Sequence, residues 1–515
     1  MLGIILCEAN ARSQRRFSRI LGVFLGVVFS CLAPSSAHSA TIDYPPLKIN
    51  QFGARCDGVS DDTAGFMTAV TRASGTGAGI QLPSGTCRIS SANLTGLHSF
   101  SIVGNGSGND DTASTLLLTG ADSKACTAGA NGGLVFGKNT WNIELRDLNL
   151  SYNNPGRDCL INISHASGDG FDPARIRIER VVFTGTVAGA TTKAIFYDDA
   201  IEQLVEDSLF DDNKFQWNIF QPIVAQHYLI NSTFSRNQFG ANVTSRNFQV
   251  ALGAGVVNLT LSSNNFEVGP NGVDCSGAAA TGVNFIGNIF EDATSASGTW
   301  IRCALSGSII TGNQLFANQK GIELDSGSGN TISGGWIGNM SLAGIQDAGY
   351  ANAIEGVHFA GSSNSSSIDI LEQGTGARIG VNFYGSDSGV ISNSIQLSSG
   401  SSGFLDYGVD SDSSARGIAN LAELNAWQIR KIKSDGSTSS LALGTVAADY
   451  FPGVIYSAAR APVPPCDAQN NHRSVCTSDH ASVCVNGTAY RPGGATACRI
   501  YCAGGLGWLA SGSGC

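Results

Sequence analysis

The chain has 515 residues, of which 65 are glycine, 42% are hydrophobic and 14% are charged, and this composition favours a turn-rich β protein over a helical one. Its net charge is −10 and no basic tract lies beyond the extreme N-terminus, which argues against nucleic acid as a partner. Because single compact cores rarely exceed about 250–300 residues, a chain of this length is expected to form several domains or an elongated repeat.

Residues 1–40 predict an export signal. Four arginines precede the apolar run ILGVFLGVVFSCLA, and the small residues of PSSAHSA follow it as a cleavage region. The run is shorter than the roughly 20 residues that a membrane-spanning helix needs. We therefore expect secretion to the periplasm or the medium, and the alternative is a lipoprotein anchored at Cys31.

Twelve of the 14 cysteines remain once this leader is removed with Cys7 and Cys31. An even number of cysteines in an exported chain predicts disulfides. Their spacing matches no zinc pattern, so no metal site is expected from them.

The folded part opens with INQFGARCDGVSDDTAGFMTAV, residues 49–70. Asp61 or Asp62 is expected to cap a short helix whose apolar face contains Phe66 and Val70. Such a helix suits a lid over the open end of a stack of strands, where an apolar interior must be covered.

The body of the chain repeats. Two apolar residues five positions apart recur every 22–33 residues, between stretches rich in Gly, Asn and Ser with short β-type alternation. One unit of this kind cannot bury its own apolar face, but a stack of units can. The pairs are Leu145/Leu150, Ile178/Phe183, Val205/Phe210, Leu229/Phe234, Leu261/Phe266, Phe285/Phe290, Ile310/Leu315, Ile332/Ile337 and Ile354/Phe359.

Asparagine recurs at one position of the repeat. Asn264, Asn288 and Asn313 each lie three residues after the first apolar residue of their pair. This recurrence predicts an asparagine ladder, in which like turns lie directly above one another.

The later strand of each unit predicts a cross-link. The tripeptides VDC, IRC and IEL align, which places Cys275 beside Cys303 on neighbouring inward positions. Because neighbouring strands lie about 4.8 Å apart, a Cys275–Cys303 disulfide is expected. The outward residues Asp274, Arg302 and Glu323 then alternate in charge, as in a structural ion ladder.

The opening stretch, together with IQLPSGTCRIS (residues 80–90), resembles the signature of pectate-lyase-superfamily proteins. That group includes rhamnogalacturonase-like and epimerase-like secreted proteins related to glycoside hydrolase family 28, and phage tail depolymerases. The resemblance implies an all-β fold, a single-stranded right-handed parallel β-helix with an N-terminal capping helix, for residues 41–395. It also implies that carbohydrate lies along the outer face of the stack. Where the family usually has Gly and Tyr, this chain has Cys56 and Cys87, which we interpret as a disulfide between the cap and the first strand.

Carboxylates cluster in the central units. The position after the second apolar residue holds Asp211, Glu267 and Glu291 there, and no carboxylate at either end. Glycoside hydrolysis uses two carboxyl groups, about 5–5.5 Å apart for retention and about 6.5–9.5 Å apart for inversion. With a rise of about 4.8 Å per rung, this cluster is expected to hold the catalytic acid and base. The next position extends it with Asp212, Arg236 and Asp292.

Aromatic side chains near the cluster are expected to stack on sugar rings. They are Tyr197, Trp217, His227, Tyr228 and Trp300.

Lyase chemistry is the alternative reaction. A basic residue would take the proton beside a uronate carboxylate, and the candidates are Arg236, Arg246 and Lys214. Calcium would then neutralise the uronate, bound among Asp198, Asp199, Asp211 and Asp212; otherwise no cofactor is expected. The chain lacks the Asn-Thr-Asp, Gly-His-Gly and Arg-Ile-Lys motifs of polygalacturonases, so the roles of their residues are not transferred.

The C-terminal part has a different composition. Residues 396–465 are expected to end the solenoid and to form a linker, which includes the stiff RAPVPP segment. Residues 466–515 contain six cysteines and predict a small disulfide-rich module. Its Tyr490, Tyr501 and Trp508 are expected to form a sugar-binding platform, and the alternative is a passive module for stability or attachment.

Taken as a whole, the sequence predicts a secreted protein that acts on polysaccharide, with cleavage as the favoured activity. The alternative is a β-helix that binds glycan without cleaving it, as an adhesion or tail-like protein. The expected partner is the polysaccharide substrate, and the expected state is a monomer or a homotrimer.

Overall fold

The structure is a computed structural model, and its parallel strands form a right-handed parallel β-helix. The described residues are 45–108, 112–122, 126, 132–165, 173–187, 192–199, 205–227, 229–240, 250–267, 269–291, 298–360, 367–380, 382–384 and 393–406, with strand segments 418–419, 427–432, 438–442, 474–480, 496–502 and 508–513. Each turn of the chain adds one strand to each of three columns, which we call sheets A, B and C.

Sheet A begins at the N-terminal end of the stack. Its strands are Leu47–Lys48, Gly79–Gln81, His98–Val103, Leu209–Asp211, Thr233–Ser235, Thr260–Ser262, Asn284–Ile286, Ile309–Thr311, Thr331–Ser333, Ala353–Glu355, Ala377–Ile379, Gly403–Asp406 and Trp427–Ile432, followed by the antiparallel Thr438–Ala442. Two longer strands, Trp141–Tyr152 and Ala174–Gly185, run from sheet A into sheet B.

Sheets B and C follow in the same order along every turn. Sheet B contains Asp57–Asp61, Gly85–Ile89, Ser114–Leu118, Lys214–Phe215, Gln238–Phe239, Asn265–Glu267, Ile289–Glu291, His358–Phe359 and Phe383–Tyr384. Sheet C contains Ala92–Asn93, Leu134–Phe136, Cys159–His165, Lys193–Asp199, Gln221–His227, Val250–Ala254, Val273–Thr281, Thr299–Ser306, Ile368–Glu372, Asn393–Leu397 and Ile418–Ala419. Two long strands, Gln314–Ser328 and Trp336–Asp347, serve both sheets.

Further short elements complete the described chain. Val205–Glu206 and Leu229–Ile230 form a small parallel pair between sheets C and A. The C-terminal strands Ser474–His480, Thr496–Cys502 and Trp508–Ser513 form an antiparallel sheet, and the side chains of the six C-terminal cysteines lie outside the described residues. Residues 1–40 and the RAPVPP segment also lie outside them. In the described part of the chain, no helix is long and apolar enough to cross a membrane.

The inward side chains stack on their own kind. In sheet B the rings of Phe183, Phe215, Phe239, Phe266 and Phe290 lie above one another in register. Their consecutive centroids are 4.5–4.9 Å apart and the rings are nearly parallel. This column is fully buried, and its apolar surface contributes to the stability of the stack.

The register corrects two of the pairs read from the sequence. Phe210 and Phe234 lie in sheet A, and their sheet B partners are Phe215 and Phe239. Val205 and Leu229 meet the same five-residue spacing but belong to the short strand pair that precedes sheet A. The sequence register was therefore displaced by one strand in these two units.

The cap is a helix over the open end. The α-helix Thr63–Ala73 follows the 3₁₀ helix Ile49–Phe52 and buries Phe66 and Val70 in the core. Asp61 accepts a hydrogen bond from the Thr63 amide at 3.0 Å, at the start of the α-helix. Asp62 is buried instead, and accepts hydrogen bonds from the backbone N–H groups of residues 55, 56 and 88. It therefore ties the cap to the first turn of the stack.

Disulfides reinforce the stack at three places in the described chain. Cys56–Cys87 joins the cap region to the first sheet B strands, and Cys275–Cys303 joins neighbouring sheet C strands in register, so both predictions are confirmed. Cys126–Cys159 is a third bridge that the sequence analysis did not identify.

The asparagine ladder lies in the turn between sheets A and B. It is longer than the sequence analysis predicted, because Asn213 and Asn237 continue it on the N-terminal side of Asn264. The Asn264 side-chain Nδ2 donates to Phe234 O at 2.9 Å and to Asn288 Oδ1 at 3.0 Å. Each amide thus satisfies buried backbone groups of adjacent rungs.

The residue before this ladder adopts the left-handed conformation, with φ between 52° and 68° on successive turns. Left-handed backbone favours glycine, because a Cβ atom is crowded there. The turns nearer the N-terminus, which we call the lower turns, nevertheless carry charged or polar side chains at this position. The turns nearer the C-terminus, the upper turns, carry glycine. The column is Asp147, Arg180, Asp212, Arg236, Ser263, Gly287, Gly312, Gly334 and Gly356.

Asn264→Ala is expected to lower the free energy of unfolding by about 2–4 kcal/mol, because it unpairs buried groups of two neighbouring turns. Thr260→Ala, on the half-buried outer side of sheet A, is the matched control and should cost much less. Guanidinium unfolding of both variants measures the difference. Equal losses in the two variants would show that the ladder adds no stability of its own.

Candidate functional site

The outer side of sheet B carries a group of polar and aromatic side chains on the central rungs. We call this surface the sheet B face and define it by the outward side chains of two ranks. The first rank follows the register Lys214, Gln238, Asn265, Ile289, Gln314, Trp336 and His358. The second rank contains Glu267, Glu291, Phe316 and Gly338.

Glu267 and Glu291 lie directly beside each other on adjacent strands of this face. Asn265 Nδ2 donates to Glu267 Oε1 at 2.5 Å and to Glu291 Oε1 at 3.2 Å. Gln238 Nε2 lies 3.0 and 3.1 Å from the two carboxylate oxygens of Glu267. Both carboxylates are half-buried, so they keep access to solvent while amide groups hold their orientation.

The separation of the two carboxylates follows from their shared donor. Since both Oε1 atoms lie within hydrogen-bonding distance of one nitrogen, at 2.5 and 3.2 Å, they are less than about 6 Å apart. This upper limit on the distance between the two Oε1 atoms is compatible with the separation of about 5–5.5 Å that retaining glycoside hydrolysis uses, and it lies below the inverting range of about 6.5–9.5 Å.

An aromatic pair lies above Glu291 on the same face. The ring centroids of Phe316 and Trp336 are 4.4 Å apart, and both side chains are half-buried. The Trp336 ring lies across Gly338, where a Cβ atom would approach the ring to 2.1 Å. Glycine at this position therefore lets the indole lie flat along the sheet.

Trp217 lies in the turn after the sheet B strand that carries Lys214, towards the N-terminal end of the stack. It follows the strand Lys214–Phe215 and is 65% exposed. Aromatic surface thus lies both below and above the two glutamates.

Asp211 does not join the two glutamates, which corrects the expected cluster of three. It lies in sheet A, in register with Glu179 and Ser235, because the sequence register was displaced by one strand there. Ser235 Oγ donates to Asp211 Oδ1 at 2.6 Å, and Arg236 forms an ion pair with Asp211 Oδ2. Asp211 is thereby tied into the surface of another sheet.

Asp212 and Arg236 occupy the left-handed turn positions beside sheet A. One turn earlier in this column, Arg180 Nε lies 2.6 Å from Asp147 Oδ1, and the guanidinium of Arg180 lowers the pKa of Asp147. Charges of alternating sign therefore pair along this edge as a structural ladder.

A second ion ladder lies on sheet C, as the sequence analysis predicted. Asp274, Arg302 and Glu323 are in register on successive strands. Arg302 Nε lies 2.9 Å from Asp325 Oδ2 and 3.7 Å from Glu323 Oε2, and Lys320 also pairs with Glu323.

Two of the expected sugar-stacking aromatics are parts of the core. Tyr197 and Trp300 are fully buried, and Trp300 Nε1 donates to Phe316 O at 2.7 Å. Burial also raises the pKa of Tyr197. Neither ring has a face open to substrate. His227 ends a sheet C strand and is half-buried, away from the sheet B face.

Several sequence candidates lie outside the described residues or side chains. They are Tyr228, Arg246, Asp292 and the side chains of Asp198 and Asp199.

Lys214 is described, and it is exposed at the N-terminal end of the sheet B face.

Two of the four expected calcium ligands, Asp211 and Asp212, have described side chains. Both oxygens of Asp211 are engaged by Ser235 and Arg236, which leaves Asp212 as an exposed turn residue without a second described carboxylate directed at it. Among described residues, the groupings of cysteine and aspartate with metal-like spacing contain the disulfides Cys56–Cys87 and Cys126–Cys159. The calcium site stays a prediction, because the side chains of Asp198 and Asp199, two of its four expected ligands, lie outside the described residues.

The sequence analysis missed the residues that organise the pair. The sheet B face that carries the two glutamates also carries Gln238, Asn265, Phe316 and Trp336. The sequence signal that could have identified them is their common position in the corrected register.

No protein-family model matches the chain, and no curated protein matches it. Among solved structures it is similar to the A-module of the mannuronan C-5 epimerase AlgE4 from Azotobacter vinelandii, with 18% identity, 66% of this chain and 96% of that chain covered, and a TM-score of 0.41. It is also similar to PfbA, a surface adhesin of Streptococcus pneumoniae, with 13% identity, 77% and 98% coverage and a TM-score of 0.44. A DFA-IIIase mutant from Arthrobacter chlorophenolicus gives 13% identity, 76% and 100% coverage and a TM-score of 0.42.

Asp211→Asn is expected to lower the free energy of unfolding by less than about 1 kcal/mol, because its ion-pair partner Arg236 is largely exposed. It should leave the polysaccharide cleavage that is proposed below unchanged, since the side chain lies on sheet A. Guanidinium unfolding and an assay of new reducing ends check the two parts. Lost activity in a stably folded variant would instead assign Asp211 to the site.

Proposed function

We propose that this chain is a polysaccharide hydrolase that cleaves its substrate on the sheet B face with retention of configuration. The observation that carries the proposal is the bridging amide of Asn265, which holds Glu267 and Glu291 at a separation that suits a nucleophile and an acid. The pair is half-buried on a solvent-facing sheet, where a sugar chain has access to it.

The contacts suggest a role for each carboxylate. Glu267 accepts hydrogen bonds from the amides of both Gln238 and Asn265, whereas Glu291 accepts from Asn265 alone, so Glu267 is better suited to remain an ionised, acceptor-only carboxylate. Glu267 is therefore proposed as the nucleophile that attacks the anomeric carbon, while Glu291 gives its proton to the departing glycosidic oxygen. Glu291 then takes a proton from the water that releases the sugar from Glu267.

The aromatic side chains of the same face are proposed to bind the sugar rings on either side of the cleaved bond. From the rung of Trp217 to that of Trp336 is five rung steps, or about 24 Å at about 4.8 Å per step. A surface of this length suits an extended polysaccharide rather than a single sugar.

We also propose that the chain works in an oxidising compartment. The three described disulfides agree with an oxidising compartment, and the export signal of residues 1–40 is proposed to direct the chain there.

A lyase, the alternative enzyme, would use Lys214, the exposed base on the sheet B face. It would release unsaturated uronates, whereas the hydrolase releases reducing ends alone.

Glu267→Gln and Glu291→Gln are each expected to slow the release of reducing ends by about 10²–10⁴-fold without unfolding the protein, because each removes one catalytic carboxyl group. The measurement uses the secreted chain with its disulfides intact on a panel of neutral and uronate-containing polysaccharides. Ultraviolet absorbance of unsaturated products is followed in parallel.

Glu355→Gln is the matched control, since Glu355 lies on the outer side of sheet A and pairs with Arg378 at 3.8 Å. It should keep full activity. Full activity in both active-site variants would remove the glutamates from the mechanism. Absorbance that accompanies the reducing ends would identify a lyase, and binding to glycans without any cleavage would identify an adhesion protein.

Trp336→Ala is expected to raise KM by up to about tenfold while kcat changes little, because it removes a stacking surface remote from the reacting bond. Trp141→Ala is the control, since this tryptophan is 39% exposed but stacks on His98 in sheet A. A fall in kcat with unchanged KM would contradict a purely binding role for Trp336.

A further inference from the structure

Two acidic side chains point into the core near the C-terminal end of sheet C. Asp347 and Glu372 lie in register on neighbouring strands, and each is 0% exposed. Leu324 precedes them and Leu397 follows them in the same inward column. A position that is apolar on the flanking rungs is therefore acidic on two successive rungs.

Each of these carboxyl groups uses one oxygen to hold its own turn. Asp347 Oδ1 accepts hydrogen bonds from Gly349 N and Asn352 Nδ2, both at 2.8 Å. Glu372 Oε1 accepts from Gly374 N at 2.7 Å. The second oxygens, Asp347 Oδ2 and Glu372 Oε2, have no hydrogen-bond partner among the described residues.

No cation pairs with these two groups among the described residues. The preceding strand, Gln314–Ser328, carries Lys320, Glu323 and Asp325. Lys320 forms an ion pair with Glu323, and Arg302, one strand earlier, forms ion pairs with Glu323 and Asp325. The following strand, Asn393–Leu397, has no titratable residue. The remaining titratable neighbours are Asp369 on the strand of Glu372 and the exposed Tyr350 in the turn after Asp347.

Two ionised carboxylates in this position would be desolvated and would repel each other. Burial raises the pKa of Asp347, and burial together with the neighbouring Asp347 raises the pKa of Glu372 to about 9. In-register side chains on strands about 4.8 Å apart are close enough to share a hydrogen bond.

We propose that Asp347 and Glu372 hold one proton between Asp347 Oδ2 and Glu372 Oε2, and that this proton locks the C-terminal rungs of the β-helix. The shared proton removes one of the two negative charges and satisfies both unpartnered oxygens at once. Loss of the proton leaves two buried charges face to face, and the rungs that carry them open.

The direction of the pH effect follows from the raised pKa of Glu372. The folded state keeps the proton up to about pH 9, whereas the unfolded chain releases it near the ordinary value of 4.5. The stabilisation is complete below the unfolded value and is lost as the pH rises through about 9. Between these values the opening constant of the C-terminal rungs is expected to rise by up to about tenfold per pH unit.

The test compares the full chain with Glu372→Gln, whose amide supplies a permanent N–H donor to Asp347. Hydrogen exchange of residues 336–397, corrected for the intrinsic exchange rate, is measured from pH 6 to 10 with residues 260–311 as the internal reference. Protection in the wild type should fall as the pH rises from 6 to about 9 and should level off above that, and Glu372→Gln should keep its protection. Glu355→Gln, which removes an exposed carboxylate at the same level of the stack, should behave like the wild type.

Infrared spectroscopy of the wild type reads the proton directly and does not depend on any variant folding. A protonated-carboxyl stretch should be present at pH 7 and should disappear towards pH 10, and Asp347→Asn or Glu372→Gln should remove or shift it. Absence of this band at pH 7, or equal alkaline loss of protection in Glu372→Gln, would overturn the proposal. Protection at pH 7 that needs added calcium or magnesium and is abolished by a chelator would show a bound cation in place of the proton.

Discussion

The structure depends on the parallel hydrogen-bonded register between successive turns, which repeats about every 4.8 Å. This constraint forces each inward side chain to lie directly above its counterpart, so like residues stack on like. The phenylalanines of sheet B meet the constraint with parallel rings, and the asparagines of the adjoining turn meet it with amide groups that donate upward and accept from below. One rung alone buries little, and the free energy of the fold is therefore distributed along the stack rather than concentrated in a centre.

The same register positions the candidate site. Glu267 and Glu291 are neighbours because Phe266 and Phe290 stack beneath them, and alternation along each strand turns the glutamates outward. The core thus fixes the spacing of groups that it does not touch. Asn265 then sets the finer geometry, since its amide contacts both carboxylates.

Much of the fold follows from the sequence, because a repeating apolar spacing together with recurring asparagines has few structural solutions. The Cys275–Cys303 bridge and the sheet C ion ladder were predictable from one local alignment. The site was less accessible, because a five-residue apolar spacing occurs twice in the central units and only one of the two matches the stack. That ambiguity placed Asp211 on the wrong sheet. The buried state of Tyr197 and Trp300 was also hidden, since large aromatics suit either side of a strand and only three-dimensional register decides which side they occupy.

The column of left-handed residues beside sheet A is a series of positions at which side chains can be presented on the surface of the stack. Its upper members, Gly287, Gly312 and Gly356, have no atom closer than 3.6 Å to where a Cβ would lie, so a side chain added there meets open space, at the cost of about 1–3 kcal/mol for a non-glycine residue in left-handed backbone. The lower members already carry aspartate and arginine in that backbone state. The column therefore offers one position for substitution on every turn, at a fixed spacing along the stack, where chemical groups can be introduced without any change to the core.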